Sequence, residues 1–193
     1  MDKRRFLPVA GIAAVAPIRS EAAAPAATGP TLLTVSGAIG KGNRGALDPA
    51  LDQLMKKHGI QFDKAWTFDA AALARLPEVS IKPTLEYDAK QHTLQGPLLE
   101  TVLQAAGVAR DAKVLLGMRA IDGYNVIVSL ADARSYRMIV ATRIDGKPLP
   151  LGGLGPLWVT YDADNLPAFK DKPLKERFGL SPWGMYHIEV RPA

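Results

Sequence analysis

Residues 77–108 constrain the fold more than any other segment, because they contain a strand pattern, a turn and a helix pattern in succession. In 79–87 apolar and polar residues alternate with a period of two, as a strand with one buried face requires. Polar residues 88–91 then favour a turn. Gly96-Pro97 predicts the start of a helix, since proline is tolerated at the first helical position, and Gly107 predicts the end of that helix.

Short strand patterns recur along the rest of the chain. Residues 31–39 and 114–121 are apolar runs typical of buried strands, and the pairs Asp122-Gly123 and Asp145-Gly146 are typical of tight hairpin turns. Many short strands with three or four modest helices predict a mixed α+β domain rather than a doubly wound one. Further strands are predicted within 60–68, 124–130, 136–141, 157–161 and 183–190. Further helices are predicted at 50–57 and 70–76, the second with Asp69 as its N-cap.

The N-terminus has the composition of a secretory signal. Lys3-Arg4-Arg5 is a positive start, residues 6–16 are a short apolar run, and Ser20 and Ala22 are small residues at the cleavage spacing, so residues 1–22 predict a signal peptide. The apolar run is shorter than the roughly 20 residues of a spanning helix. We therefore expect export to the periplasm without membrane insertion of the mature chain. The arginine pair lacks the usual spacer of a twin-arginine signal, which leaves the export route open.

Residues 23–30, rich in alanine and proline, predict a flexible leader, and a single domain is expected over 31–193. The chain carries a formal charge of +5, of which residues 1–22 contribute +2. The remaining +3, without a basic run interleaved with aromatics, argues against nucleic-acid binding. The chain has no cysteine, so it depends on its apolar core rather than on disulfides.

Other motifs carry little chemistry. Residues 40–45 spell the G-x-G-x-x-G pattern of a dinucleotide-binding loop. In that pattern the last glycine lies inside the helix, whereas Asp48-Pro49 predicts a helix that begins later, so we interpret the segment as a glycine loop. His58, His92 and His187 lie far apart without metal-ligand spacing, and no hydrolase nucleophile motif is present.

The order of these elements resembles the sulfite-oxidase-type molybdopterin-binding domain, from about residue 31 to the end. The resemblance rests on an extended segment ending in Tyr87, on Gly96-Pro97-Leu98-Leu99, on a helix ending Ala105-Ala106-Gly107, and on Ala120-Ile121-Asp122-Gly123-Tyr124. It implies an α+β fold with mixed β-sheets and a few short helices. Further matches are, in order, 35–39, Asn43, Phe68-Asp69, Leu73, Leu76-Pro77, Asp145-Gly146-Lys147-Pro148, Gly155-Pro156-Leu157-Trp158 and a final strand after Trp183.

Enzymes of that family hold molybdenum through a cysteine thiolate near the end of the strand that corresponds to 79–85. This chain has Lys82-Pro83-Thr84-Leu85 there, so a soft metal centre loses its protein ligand. What the resemblance still implies is a scaffold for a metal-free, reduced pterin, which needs a slot with aromatic walls and hydrogen-bonding groups.

A pterin has a planar ring on which aromatics stack, and an aminopyrimidinone edge whose two hydrogen bonds a carboxylate accepts side by side. Asp122 also has the simpler role of serving its turn, and a tryptophan such as Trp158 is often a core residue. As a group at the loop ends of neighbouring strands, such residues predict a pocket. The predicted ligand-binding residues are Thr84, Glu86, Tyr87, Asp122, Tyr124, Gly155 and Trp158, with Asp88 as a further candidate carboxylate.

From the resemblance we predict a periplasmic, non-catalytic binding protein for a reduced pterin. Short cysteine-free relatives of this kind include periplasmic proteins that report pterin level to a membrane-bound cyclic-di-GMP sensor enzyme, and the resemblance implies the periplasmic domain of such a sensor as the partner. Two alternatives remain: a molybdopterin-dependent oxidoreductase subunit lacking the cysteine ligand, and an exported structural or interaction module without a ligand. No residue is predicted to be catalytic or to bind metal. Residues 40–45 and 164–175, long for connections, are candidates for a docking surface.

Overall fold

The computed structural model describes residues 29–193, so the predicted signal peptide and most of the predicted leader lie outside the described residues. Short strands and a few short helices make up this part of the chain, which confirms the α+β prediction. None of its helices has the length and apolar character needed to cross a bilayer. The helices are α1 (Gln53–Lys57), α2 (Ala70–Ala74), α3 (Leu99–Ala105) and α4 (Leu130–Ser135). The strands are β1 (Leu33–Gly37), β2 (Ala65–Phe68), β3 (Glu78–Ile81), β4 (Leu94–Pro97), β5 (Val114–Ala120), β6 (Asn125–Ser129), β7 (Ile139–Ala141), β8 (Arg143–Ile144), β9 (Lys147–Pro148), β10 (Trp158–Thr160) and β11 (Met185–Pro192).

The main sheet has five strands in the order β2-β1-β11-β5-β6. The C-terminal strand β11 lies at its centre, parallel to β1 and antiparallel to β5. Val35 on β1, Leu116 on β5 and Ile188 on β11 are all fully buried. Burying each such side chain stabilises the fold by about 1.5–3 kcal/mol, so these three strands form the floor of the core.

Two smaller sheets complete the domain: a four-stranded sheet in the order β3-β4-β8-β9 and the pair β10-β7. They are joined because Leu98 bridges to Ile139, directly after β4. A second bridge, between Trp158 and Trp183, links β10 to the residues that lead into β11. The small sheets are thereby fixed to the main sheet at the point where its central strand begins.

Several local predictions are confirmed. Asp69 caps α2, its Oδ1 accepting a hydrogen bond from the Ala72 amide at 2.6 Å. Asp122-Gly123 connects the antiparallel strands β5 and β6, and Asp145-Gly146 connects β8 and β9. The glycine loop 40–45 is not followed directly by a helix, because α1 begins only at Gln53, three residues later than predicted.

The predicted helix start at Gly96-Pro97 is wrong. Both residues belong to β4, and α3 begins at Leu99. Gly96 is required for a different reason: a Cβ built there would lie 2.0 Å from the carbonyl oxygen of Val140, so only glycine lets β4 approach β7 this closely. The predicted end of the helix is confirmed, since Gly107 follows it with φ +84.

The predicted strand 79–87 is too long. β3 ends at Ile81, shortly before Pro83, which has no amide hydrogen to donate to a sheet ladder. Thr84 makes only an isolated bridge, to Gln91. Glu86 and Tyr87 consequently lie in the turn of the β3–β4 hairpin and not in a strand.

His187 is the one buried histidine in the described part of the chain. Its Nε2 lies 2.9 Å from the hydroxyl of Ser36, and its ring stacks on Phe62. Burial lowers the pKa of the imidazole from 6.5 to about 4. In the unfolded chain the imidazole binds a proton near pH 6.5, whereas in the folded chain it stays neutral down to about pH 4. The folded state is therefore most stable above pH 6.5 with respect to this group, and that stability is lost as the pH falls towards 4.

We expect Gly96→Ala to lower the free energy of unfolding by about 3 kcal/mol, because its methyl group meets backbone that cannot move aside. Gly45→Ala is the matched control, since a Cβ there contacts nothing within 4 Å, and it should change stability by less than about 0.5 kcal/mol. Urea unfolding of both variants checks this. Equal stability of the two would show that β4 and β7 have room for a methyl group.

We expect the free energy of unfolding to fall by about 2 kcal/mol between about pH 7 and about pH 5, because in this range the His187 imidazole binds a proton in the unfolded state but not in the folded state. In His187→Gln this component should be absent. Urea unfolding of the parent and the variant at both pH values measures the difference. The same pH dependence in both would contradict the assignment.

Candidate functional site

A pocket of about 310 Å³ opens where turns from the two larger sheets meet. The β3–β4 hairpin contributes Glu86 and Tyr87, and the β5–β6 turn contributes Asp122 and Tyr124. The structure thus brings together four of the seven residues predicted to bind the ligand. Together with Ala120, the remaining lining residues come from 175–183, here called the C-terminal wall: Lys175, Phe178, Gly179, Ser181, Pro182 and Trp183.

The hairpin tip, residues 85–90, is here called the pocket turn, and a buried leucine anchors it. Leu85 is 3% exposed, and its amide donates to the Lys90 carbonyl at 2.9 Å. The amide of Ala89, at φ +56, donates back to the Leu85 carbonyl at 3.0 Å. Because the turn closes over its own buried residue, Glu86 and Tyr87 project from the core into the pocket.

The β5–β6 turn is held by its own side chains. Asp122 Oδ1 accepts from the Tyr124 amide at 2.9 Å, as an aspartate in a tight turn does. The Tyr124 hydroxyl donates to the Gly179 carbonyl at 2.8 Å, which ties the turn to the C-terminal wall. One oxygen of Asp122 therefore serves the turn, and Oδ2 has no hydrogen-bond partner among residues 29–193.

Exposed aromatic rings concentrate in this pocket. Among the described residues, the aromatic side chains with large exposure are Tyr87 (56%), Tyr124 (49%) and Trp183 (38%), and all three line it. Aromatic rings are usually buried or half-buried in a folded domain. Three exposed rings around one cavity mark a surface suited to a planar apolar ligand.

The pocket has more negative than positive charge. Its described lining includes the carboxylates Glu86 and Asp122 and the single cation Lys175. Partial burial of Tyr87, followed by the neighbouring Glu86 carboxylate, raises the pKa of the phenol above 10.0, while a contact with Trp183 acts in the opposite direction. Tyr87 is therefore an uncharged donor at neutral pH, and the carboxylates are acceptors for a ligand that carries N–H groups.

Three predicted residues lie outside the pocket. The Thr84 amide donates to Asp164 Oδ2 at 2.7 Å. Gly155 lies beneath the entry to β11, with its carbonyl oxygen 3.7 Å from a Cβ built on Gly184. Trp158 is 1% exposed and donates from Nε1 to the Ser181 carbonyl at 3.0 Å, so it supports the C-terminal wall from behind.

Trp158 was predicted to form a wall of the pocket, and Trp183, which does line it, was not predicted. A signal was present: Trp158 lies inside an apolar run, whereas Trp183 stands between Pro182 and Gly184. Residues flanked by proline and glycine lie where a strand has not yet begun, and such positions are commonly exposed. The rest of the C-terminal wall has no strand or helix pattern from which to predict its contacts.

The residues present do not fit a molybdenum centre. No cysteine exists in the sequence, and among residues 29–193 no cluster of three or more His, Cys, Asp or Glu side chains is placed to hold a metal ion. The pocket offers carboxylate and hydroxyl oxygens, which suit hard ions and hydrogen-bond donors rather than a soft metal. Its exposed rings and carboxylates suit a planar ligand that carries N–H groups.

No protein-family model matches this chain, and no match is found among curated proteins. Among solved structures it is similar to the sulfane dehydrogenase SoxCD from Paracoccus pantotrophus, with 12% identity and a TM-score of 0.54. The similarity covers 83% of this chain and 38% of that chain. The fold is therefore the α+β fold of sulfite-oxidase type that the sequence predicted. At this identity the similarity shows the fold alone.

We expect purified protein to carry no stoichiometric molybdenum, because no side chain replaces the missing thiolate with similar softness. Elemental analysis of protein purified from molybdate-supplemented cells checks this, with a host molybdenum enzyme measured alongside to show that the metal was available. About one molybdenum per chain would contradict the prediction and favour the oxidoreductase alternative.

Proposed function

We propose that this protein is an exported, non-catalytic binding protein that holds a reduced pterin without metal. The observation that carries the proposal is the convergence of three exposed rings and two carboxylates on one small pocket. A volume of about 310 Å³ is at the low end for ligand pockets and suits a small bicyclic ring. The resemblance to the molybdopterin-binding domain supplies the ligand class.

In the proposed complex the pteridine stacks on the aromatic rings and presents its amino edge to a carboxylate. Glu86 is the better candidate of the two, because its contact is with the exposed side chain of Tyr87, which can turn aside, whereas Asp122 accepts a backbone hydrogen bond in its turn. Stacking contributes about 0.5–1.5 kcal/mol beyond the area buried. A hydrogen bond to a charged group contributes about 1.5–3 kcal/mol, so the carboxylate matters more than any single ring.

The proposal includes export to the periplasm and a partner there. Support for export comes from the signal-like composition of residues 1–22, which precede the described domain. The resemblance suggests the partner, the periplasmic domain of a membrane-bound cyclic-di-GMP sensor enzyme. Deleting this protein should then change cyclic-di-GMP level only in cells that make the pterin and have the sensor. A deletion without effect in such cells would remove the signalling part of the proposal.

We expect Glu86→Gln to weaken dihydrobiopterin binding about ten- to hundredfold, since the amide keeps the shape of the side chain and loses the charged acceptor. Asp122→Asn should weaken it less. Titration calorimetry measures both, and Asp111→Asn is the matched control, an exposed carboxylate near the other end of β5. If the parent binds and all three variants bind equally well, the site lies elsewhere.

The same calorimetry separates the alternatives. A parent protein that binds no dihydrobiopterin, and whose deproteinised extract shows no pterin fluorescence, is the exported structural module. One that yields pterin together with about stoichiometric molybdenum is the oxidoreductase subunit. Pterin without metal supports the binding function.

A further inference from the structure

His92 ties the pocket turn to a second hairpin. Its Nε2 lies 3.0 Å from Asp88 Oδ2, and its Nδ1 lies 2.6 Å from Asp145 Oδ2. Asp88 directly follows Tyr87 in the pocket turn, and Asp145 is in the β8–β9 turn. Two further hydrogen bonds fix the β8–β9 turn: Asp145 Oδ1 accepts from the Thr93 amide, and the Asp145 amide donates to the Thr93 carbonyl. The imidazole therefore joins the tip of one hairpin to the turn of another.

Counting donors identifies the protonation state. A carboxylate only accepts hydrogen bonds, and neutral imidazole has a single N–H donor. Since each ring nitrogen of His92 faces a carboxylate oxygen at hydrogen-bond distance, both nitrogens must carry hydrogen. The tie is complete only with the imidazolium ion.

We propose that His92 is a positioning residue for the pocket, which in its doubly protonated form holds the turn carrying Glu86 and Tyr87 in its binding position. This inference rests on the proposed function for its effect on ligand affinity, but not for its effect on the turn itself. When His92 loses a proton, it keeps the shorter bond to Asp145 and turns a lone pair towards Asp88. The pocket turn is then released and repelled from the fixed side.

The charged groups around the tie set its pH range. Hydrogen bonds to Asp145 and then to Asp88 raise the pKa of His92 above 6.5, and the bonds to His92 lower the pKa of both aspartates below 3.8. Lys90 is the other charge that acts on Asp88. The stabilisation from the His92 imidazolium is complete below pH 6.5 and is lost as the pH rises through the folded pKa of His92. The stabilisation from the two carboxylates is complete above pH 3.8 and is lost as the pH falls through their folded pKa values. Both hydrogen bonds of His92 are therefore fully formed between pH 3.8 and pH 6.5.

The effect is expected to be modest, because exposed ion pairs contribute little to stability. The side chains of Asp88 and Asp145 are 40% and 53% exposed. A tie of this kind does not hold the domain together. It selects one position of a turn that Leu85 already anchors, and that position sets where the pocket carboxylate points.

Two variants test the tie in opposite ways. His92→Gln offers one donor and one acceptor, as neutral histidine does, so it should resemble the deprotonated parent at every pH. In Asp88→Asn the amide N–H₂ donates to the lone pair of neutral His92, so the tie should survive deprotonation. If His92 had only a structural role, both substitutions should weaken ligand binding at every pH.

The experiment measures dihydrobiopterin affinity by calorimetry between about pH 6 and about pH 9. In the same series, NMR of the ligand-free protein follows the His92 ring nitrogens and the Tyr87 amide. We expect the parent to bind about two- to fivefold more weakly at the upper pH, with the Tyr87 amide shifting at the same midpoint as the imidazole. Because the Lys90 amide donates to Oδ1 of residue 88, the N–H₂ of Asp88→Asn faces His92 and finds an acceptor there only when the ring is neutral. Asp88→Asn should therefore bind at least as well at the upper pH as at the lower, whereas His92→Gln should bind weakly throughout.

A parent-like pH dependence in Asp88→Asn, or a Tyr87 amide that does not respond when His92 titrates, would overturn the proposal. The two failures are distinct. If the Tyr87 amide follows His92 but no dihydrobiopterin binds, the tie stands and the proposed ligand is wrong. If the ligand binds and the amide does not follow His92, the function stands and the positioning role fails.

Discussion

The pairing of the last strand with the first is the constraint on which the rest of the structure depends. β11 lies between β1 and β5, so without it the main sheet separates into two two-stranded pieces, and a pair of strands is marginal in water. The parallel register joins Thr34 to His187 across nearly the whole described chain. Contacts between residues so far apart in sequence carry a large loop-closure cost, and folds that depend on them fold slowly. The pocket shares this dependence, because Trp183 reaches it only when β11 is in place.

A single carboxylate couples the walls of the pocket. Asp164 accepts from the Thr84 amide through Oδ2 and from Arg177 through Oδ1, at 2.7 and 2.8 Å. Arg177 leads directly into the part of the C-terminal wall that contacts Tyr124. Stacked rings of Tyr161 and Phe169, 4.5 Å apart, hold the intervening segment against the core. Residues 164–175, suggested from sequence as a docking surface, thus have a structural role, and their use by a partner stays a prediction.

The features of the fold that depend on residues close together in sequence could be predicted from the sequence. The Asp69 cap, the two Asp-Gly turns and the glycine that ends α3 depend on neighbours a few residues away, and the structure confirms them. The prediction for Gly96 was wrong because the glycine is required by the close approach of the Val140 backbone. Val140 is more than 40 residues away in sequence, so the residues near Gly96 give no sign of that contact. Trp158 is buried and Trp183 lines the pocket, a difference that local sequence does not encode, since burial of a tryptophan depends on what packs over it. Glu86 and Asp122 reach one pocket because both lie in turns, where the chain must reach the surface, and their role in binding stays a prediction.

Placing the pocket on turns separates binding from folding in this domain. Glu86, Tyr87, Asp122 and Tyr124 make no sheet pairing of their own, and their backbones are fixed by turn hydrogen bonds and by buried neighbours such as Leu85. Replacing such side chains leaves the ladders of the main sheet intact, so a fold of this type can present different side chains at its turns without losing its shape. Similarity of fold to a dehydrogenase is therefore compatible with different chemistry. Which ligand binds is decided by the few side chains that the turns present, and here they are rings and carboxylates.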